Sequence, residues 1–371
     1  MEQIKPQSKR LYSLDALRGF DMIWIMGLGY GLKLFAKEQH TPFWDFIYLE
    51  FHHSDWFGLV FWDLIFPLFI FIAGVATPFS VGKHLSQGIS KSSLLIKALK
   101  RAILLYILGF LLANNGIQLW NLSEARFTGD LAKIGFSYFF GVAIYLYASR
   151  RWQVIWLLAI LTGYWLLLKF TSAPGYPPGD LSQQGNFISH LERSFMPGKL
   201  SRIFYDQSGF FNNVNAIPNM LGGVLTGTFL MSVKYNENKK TVYMLLAGAV
   251  CVLLGWLWNL DSPFSESLWT SSFALATIGW SLILMAIFYF IIDVKGYKKW
   301  AFFLKVIGMN PILIYVSPFF IDWDFTTKAF MGWAIDLSHK EWVNLVYWTA
   351  QVGIKWMFLY FLYKKKAFLR V

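Results

Sequence analysis

The chemically densest stretch of this chain is HHSDWFGLVFWDLIFPLFIFIAGVA, with His52, His53 and Asp55 at its head and Asp63 further in. Imidazole changes charge near neutral pH, so a histidine here could serve as a base or carry an acyl group. Position alone does not choose between His52 and His53. A histidine at the edge of an apolar run is also commonly a plain interfacial residue. Asp63 sits among apolar side chains, where a carboxylate needs a donor: Arg18, a histidine or a backbone N–H. Pro67, four residues on, is expected to kink the helix and free a carbonyl nearby.

Other polar residues also stand where apolar ones dominate. Asp15 and Arg18 in SLDALRGFDM are three apart and share a helix face. The plain reading is a local ion pair; the functional one is that Arg18 holds an anionic ligand. Lys97, Lys100 and Arg101 recur at helical spacing, with Lys83 and Lys91 before them. They either meet anionic lipid headgroups or grip a phosphorylated ligand. Asn310 and Pro311 in IGMNPILIYV suit a helix–helix hydrogen bond beside a kink, or a donor to a developing oxyanion. Lys355, midway along the last apolar run, requires a partner. The sequence contains no Walker A loop, dinucleotide glycine fingerprint, HExxH or GxSxG string. The single cysteine, Cys251, excludes a disulfide framework and a cysteine zinc site, and no metal is expected.

The elements that must hold these residues follow from composition. The chain has 371 residues, 56% hydrophobic, 19% aromatic and only 15% charged, with a mean hydropathy of +0.45. That is too apolar for one soluble core and too rich in aromatics for disorder, which excludes an ordinary water-soluble enzyme. A helix needs about 20 apolar residues to cross a bilayer. Ten segments qualify: 14–36, 56–82, 102–120, 131–148, 152–170, 213–233, 241–260, 267–292, 300–321 and 342–363. Taken alternately, the connecting segments carry 20 Lys+Arg on the side of the termini and 7 on the other. By the positive-inside rule both termini are cytoplasmic. The net charge of +12 is then a topology signal and implies no nucleic-acid partner. The outer side holds three informative loops: 37–55, 171–212 and 322–341, the last with an amphipathic interfacial segment. No cleavable signal sequence is expected. The fold class is an all-α integral membrane protein of about ten transmembrane helices, in one domain over 1–371.

Four strings in order, SLDALRGFDM, HHSDWFGLVFWDLIFPLFIFIAG, LWTSSFALATIGW and DVKGYKKWAFFLKVIGMNPILIYV, resemble the heparan-α-glucosaminide N-acetyltransferase family, in its bacterial branch. The resemblance spans both ends of the chain. It implies a membrane enzyme that takes acetyl-CoA from the cytoplasm and acetylates a glucosamine-type amino group on the far side. The family's catalytic histidine maps onto His53, before Trp56 and Asp63. Two positions depart from the family: its active-site asparagine falls on Gly29, and its lysine before LWT on Glu266.

On this basis His53, Asp63 and Asn310 are the expected catalytic residues. Arg18, Lys97, Lys100 and Arg101 are expected to contact the acetyl-CoA phosphates, and Trp56, Glu266 and Trp269 the acceptor sugar. The resemblance also implies a bacterial inner-membrane location and a homodimer in the lipid bilayer. Direct transfer and an acetyl-histidine both remain open. Two competing functions are a transporter or flippase for an amino sugar or glycolipid and an O-acetyltransferase of a surface glycan.

Overall fold

A computed structural model describes residues 11–114 and 121–369. Among the described residues the regular structure is helical, and the only β pairing is an isolated bridge between Arg126 and Gly198. Among the described residues, four helices are long and apolar enough to cross a membrane: Phe61–Ser86, Arg150–Phe170, Glu237–Trp258 and Ser271–Val294. A fifth is the pair Phe302–Gly308 and Pro311–Phe319, bent by 70°. These correspond to the expected spans 56–82, 152–170, 241–260, 267–292 and 300–321.

The other five expected spans are helical but more polar or broken. The first holds Asp15, Arg18 and Asp21 and passes through a π turn at Trp24–Leu28, where Gly27 takes φ 142°. A helix runs over Lys91–Ala113, and residues 115–120 of the expected 102–120 span lie outside the described residues, as do residues 1–10. Asp130–Tyr147 carries Lys133. The 213–233 segment enters as a 3₁₀ turn, leaving Ile217–Met231 as α-helix. Val343–Lys364 carries Gln351 and Lys355.

One boundary shifts in a way that matters. The expected 56–82 helix starts at Phe61, because residues 54–60 are irregular and Gly58 has φ 144°, a conformation that stops a helix. Asp63 therefore belongs to the opening 3₁₀ turn Phe61–Leu64 and not to the interior of a helix. Pro67 falls in the first turn of the following α-helix, Ile65–Thr77, where a proline costs little.

Two compact units divide the described chain. The first comprises Ser54–Leu59 and Phe66–Ala286. Its loop region closes over a cluster of Trp56, Tyr164, Leu168, Ile188, Tyr205 and Leu268. Arg126 and Asp206 tie its two long loops together: Nη2 donates to Oδ1 at 2.6 Å and Nε to Oδ2 at 3.1 Å. Burial alone would raise the Asp206 carboxyl, but the Arg126 bonds and charge hold it below the usual range.

The second unit comprises Leu11–His53, Val60–Ile65 and the chain from Ile287 onward. Helices Tyr12–Ile23 and Phe302–Gly308 pack with almost no gap. A Cβ on Gly19 would overlap the Leu304 carbonyl, and one on Gly308 the Asp15 carbonyl. A core of Phe51, Trp62 and Ile65, with Trp24, Leu32 and Phe61 against it, supports the loop that carries His53. Thr41 begins the helix before that loop, accepting from the Trp44 amide with Pro42 in the first turn.

Candidate functional site

Helix Pro42–Glu50 ends at Phe51, and the chain turns so that His53 points back at the 3₁₀ turn opening the next helix. The His53 Nδ1 lies 2.8 Å from Asp63 Oδ1. Asp63 is fully buried, while the His53 side chain is 37% exposed. The second carboxylate oxygen accepts the Val60 amide at 3.3 Å. Of the three donors the sequence left open for Asp63, two are present, a histidine and a backbone N–H. Glu50 braces the same turn by accepting the Phe61 amide at 2.7 Å.

This arrangement assigns chemistry to the ring. With Nδ1–H donated to a carboxylate, the lone pair of the neutral imidazole resides on Nε2, the nitrogen that can take a proton or an acyl group. A buried carboxylate behind the ring also favours the imidazolium that forms when Nε2 is protonated. The neighbouring His52 is arranged differently, its Nδ1 lying 2.9 Å from the carbonyl of His53. Geometry thus separates two histidines that position could not.

Trp62 stands edge-on to the His53 ring, centroids 6.2 Å apart. Its place depends on Gly29, since a Cβ there would collide with the Trp62 ring. The glycine that replaces the asparagine expected from the family resemblance is the residue that gives this indole room.

The remaining expected residues are distributed across the two units. In the second unit, Arg18 donates to the Gly308 carbonyl at 3.4 Å and lies 3.7 Å from Asp15, the ion pair of the plain reading. Asn310 is buried at the 70° bend; it donates to the Ala367 carbonyl at 3.0 Å and accepts the Leu369 amide at 2.9 Å, so its amide clamps the C-terminal segment. Lys355 finds its partners in the Met26 carbonyl and Gln351 Oε1, each at 2.7 Å. The π turn leaves that carbonyl available.

The first unit holds the rest. Lys97 and Lys100 are exposed on helix Lys91–Ala113, whereas Arg101 lies 4.3 Å above the Tyr138 ring. Trp56 is a core residue whose Nε1 donates to the Leu181 carbonyl at 2.8 Å. Glu266 is buried and accepts from Gln207 at 3.3 Å. Trp269 is buried in a left-handed conformation, φ 50°, with its Nε1 on Asn219 and the Lys133 amine 4.1 Å above its ring. A non-glycine residue there is held by its surroundings and marks the LWT turn as a constrained point.

Beside Asp206 and Lys240, two further buried charges in this unit were not singled out from sequence. Lys133 is one; its signal was a lysine inside an apolar run. Glu192 is the other, in helix Phe187–Phe195, accepting the Phe211 amide at 2.7 Å through Oε1 while Oε2 has no partner. Burial pushes its carboxyl up to about 7. No sequence pattern pointed to it, since HLERSF reads as an ordinary exposed turn of helix.

No family model matches the chain. The chain is similar to the human heparan-alpha-glucosaminide N-acetyltransferase, 26% identical over 418 residues that cover 98% of this chain and 60% of that protein. It is equally similar to the Mus musculus protein of the same name, 26% identical over 427 residues covering 100% and 62%. The chain thus spans about three fifths of the length of these curated relatives, and the similarity runs from one end of it to the other.

Proposed function

We propose that this chain is a transmembrane acetyltransferase of the heparan-α-glucosaminide N-acetyltransferase kind. It moves the acetyl group of cytosolic acetyl-CoA onto the amino group of a glucosamine-type sugar at the outer face. The observation that carries this reading is the His53–Asp63 pair, a partly exposed imidazole backed at 2.8 Å by a buried carboxylate. His53 Nε2 takes a proton from the sugar ammonium. The amine attacks the thioester carbonyl, the C–S bond breaks, and CoA leaves as thiol or thiolate. Asp63 fixes the tautomer and supports the imidazolium. An acetyl-histidine route uses the same nitrogen as nucleophile.

The proposal extends to topology: ten spans, both termini cytoplasmic, one acyltransferase domain and a bacterial inner-membrane location, supported by the 20-to-7 distribution of Lys and Arg. Of the basic residues, exposed Lys97 and Lys100 suit phosphate contacts better than Arg18 and Arg101, whose side chains already have protein partners. Asn310 is assigned to holding the C-terminal segment, and Trp56, Glu266 and Trp269 to building the outer loops.

The test is acetyl transfer by the purified full chain with acetyl-CoA and glucosamine, read as acetylated sugar and released CoA. Stoichiometric production of both supports the proposal. Sugar uptake into liposomes without acetyl-CoA, and no CoA release, would support a transporter instead.

A further inference from the structure

The second unit contains a cavity of about 660 Å³ whose walls differ in kind. One wall is aromatic: Tyr30 and Trp348 stack with centroids 5.4 Å apart, and Trp323 and Phe320 complete it. The other wall is polar and continuous. Tyr347, Gln351 and Lys355 stand one turn apart on helix Val343–Lys364 and line the cavity together. Lys355 donates to Gln351 Oε1 at 2.7 Å, Gln351 Nε2 to the Tyr347 hydroxyl at 3.2 Å, and that hydroxyl to Asp324 Oδ1 at 2.7 Å. Exposed Lys328 closes the chain on Asp324 at 2.8 Å. A ladder of hydrogen-bonding groups thus runs from the surface to a lysine in the middle of an apolar helix.

Lipid needs no such ladder. A crevice close by in the same unit, lined by Ile321, Trp323, Phe330, Ile354 and Met357 with Thr326 as its only polar side chain, has the character that an acyl chain prefers. An anionic headgroup is disfavoured at the larger cavity as well, because Asp322 and Asp324 both line it. A sugar ring matches the two walls: its C–H faces lie against aromatic rings and its hydroxyls exchange hydrogen bonds with amide, hydroxyl and amine groups. The volume lies within the range of small-molecule sites. Two ring contacts connect this wall to the histidine, Tyr30 to Trp62 at 5.4 Å and Trp62 to His53 at 6.2 Å.

We propose that this cavity is a saccharide subsite that holds the sugar ring attached to the amine-bearing unit of the acceptor. Tyr30 and Trp348 supply the stacking wall, and Tyr347, Gln351 and Lys355 the hydrogen bonds. The choice of an amino sugar as ligand rests on the acetyl-transfer reading; the cavity itself does not. The preferred acceptor is then an oligosaccharide ending in glucosamine, not the free monosaccharide.

The experiment is calorimetric binding of glucosamine and of its β-1,4 disaccharide to the full chain in detergent, with no acetyl-CoA present. The wild type is expected to bind the disaccharide at least tenfold more tightly than the monosaccharide. Gln351→Leu and Trp348→Ala are expected to lose that preference, each raising the disaccharide Kd about tenfold. Tyr347→Phe, which keeps the ring and removes only the hydroxyl, gives the reading if either of the others melts early. Equal affinity for the two sugars, variants with unchanged Kd, or a phospholipid retained by the wild type and released by Trp348→Ala in native mass spectrometry would each overturn the subsite. Because no acetyl donor is present, a failure of acetyl transfer would count against the enzyme and leave this result standing.

Discussion

At the scale of single residues, the account turns on which nitrogen of His53 is available. Asp63 engages Nδ1 at 2.8 Å, which leaves Nε2 as the nitrogen for the proposed chemistry. His53→Ala is expected to lower the transfer rate by about 10²–10⁴-fold, the usual range for a general base. Asp63→Asn keeps the shape but presents an amide that can steer the ring to the other tautomer; a loss on the order of 10²-fold is expected. Steady-state rates with acetyl-CoA and glucosamine measure both. His52→Ala is expected to stay within a few fold of the wild type, because its ring faces the His53 carbonyl and not a carboxylate.

The histidine, the aspartate and the need for a donor were legible in the sequence. The choice of donor was not, because it depends on a turn at 54–60 that returns the chain on itself. Glu192 was illegible for a related reason: burial of a loop helix decides its state, and periodicity does not report it. Its carboxyl ionises at about 7 in the folded chain against an ordinary value of 4.5. The folded state therefore holds a proton that the unfolded state releases. Stability contributed by that proton is complete below pH 4.5 and lost as pH rises through about 7. Glu192→Gln is expected to flatten this dependence. Its melting temperature should gain on the wild type by several degrees between pH 5 and pH 8, as thermal unfolding in detergent would show.

At the scale of elements, the site is made by interruptions of helices. Gly58 stops one helix short, so that Asp63 sits at its mouth. The π turn at Trp24–Leu28 frees the carbonyl that Lys355 takes. The 70° bend at Asn310 is pinned by the C-terminal segment. Apolar runs announced most of these helices, and Asn310–Pro311 announced the bend. The π turn and the early stop were not announced, because a glycine in an apolar run is equally compatible with an unbroken helix.

The pairing of Gly29 with Trp62 is the clearest case of two elements fitting one another. Gly29→Asn would place a side chain where the Trp62 ring lies. Overpacking of this kind costs about 1–3 kcal/mol, and the displaced indole would disturb His53. The single variant is expected to lose stability and at least about tenfold in activity. Adding Trp62→Ala is expected to restore part of both, and a double-mutant cycle in melting temperature and rate would measure the coupling. Purely additive effects would show that the two positions are independent.

At the scale of the whole molecule, charge and hydropathy carry most of the information. Five of the ten apolar runs became helices of membrane-crossing length and composition among the described residues, one of them bent. The other runs, over their described residues, became more polar or broken helices, which fits their use as walls for charged and hydrogen-bonding groups. The division into two units was not legible, because both interleave along the chain and neither is marked by a linker.

The central claim is transfer across the membrane by His53, with donor and acceptor entering from opposite faces. Its most direct measurement uses proteoliposomes of known protein orientation, with acetyl-CoA on the side of the termini and a glucosamine acceptor on the other. The account predicts N-acetylated acceptor on the far side and CoA on the near side, both abolished by His53→Ala. Undiminished transfer by that variant, or transfer only when both substrates share one face, would contradict it.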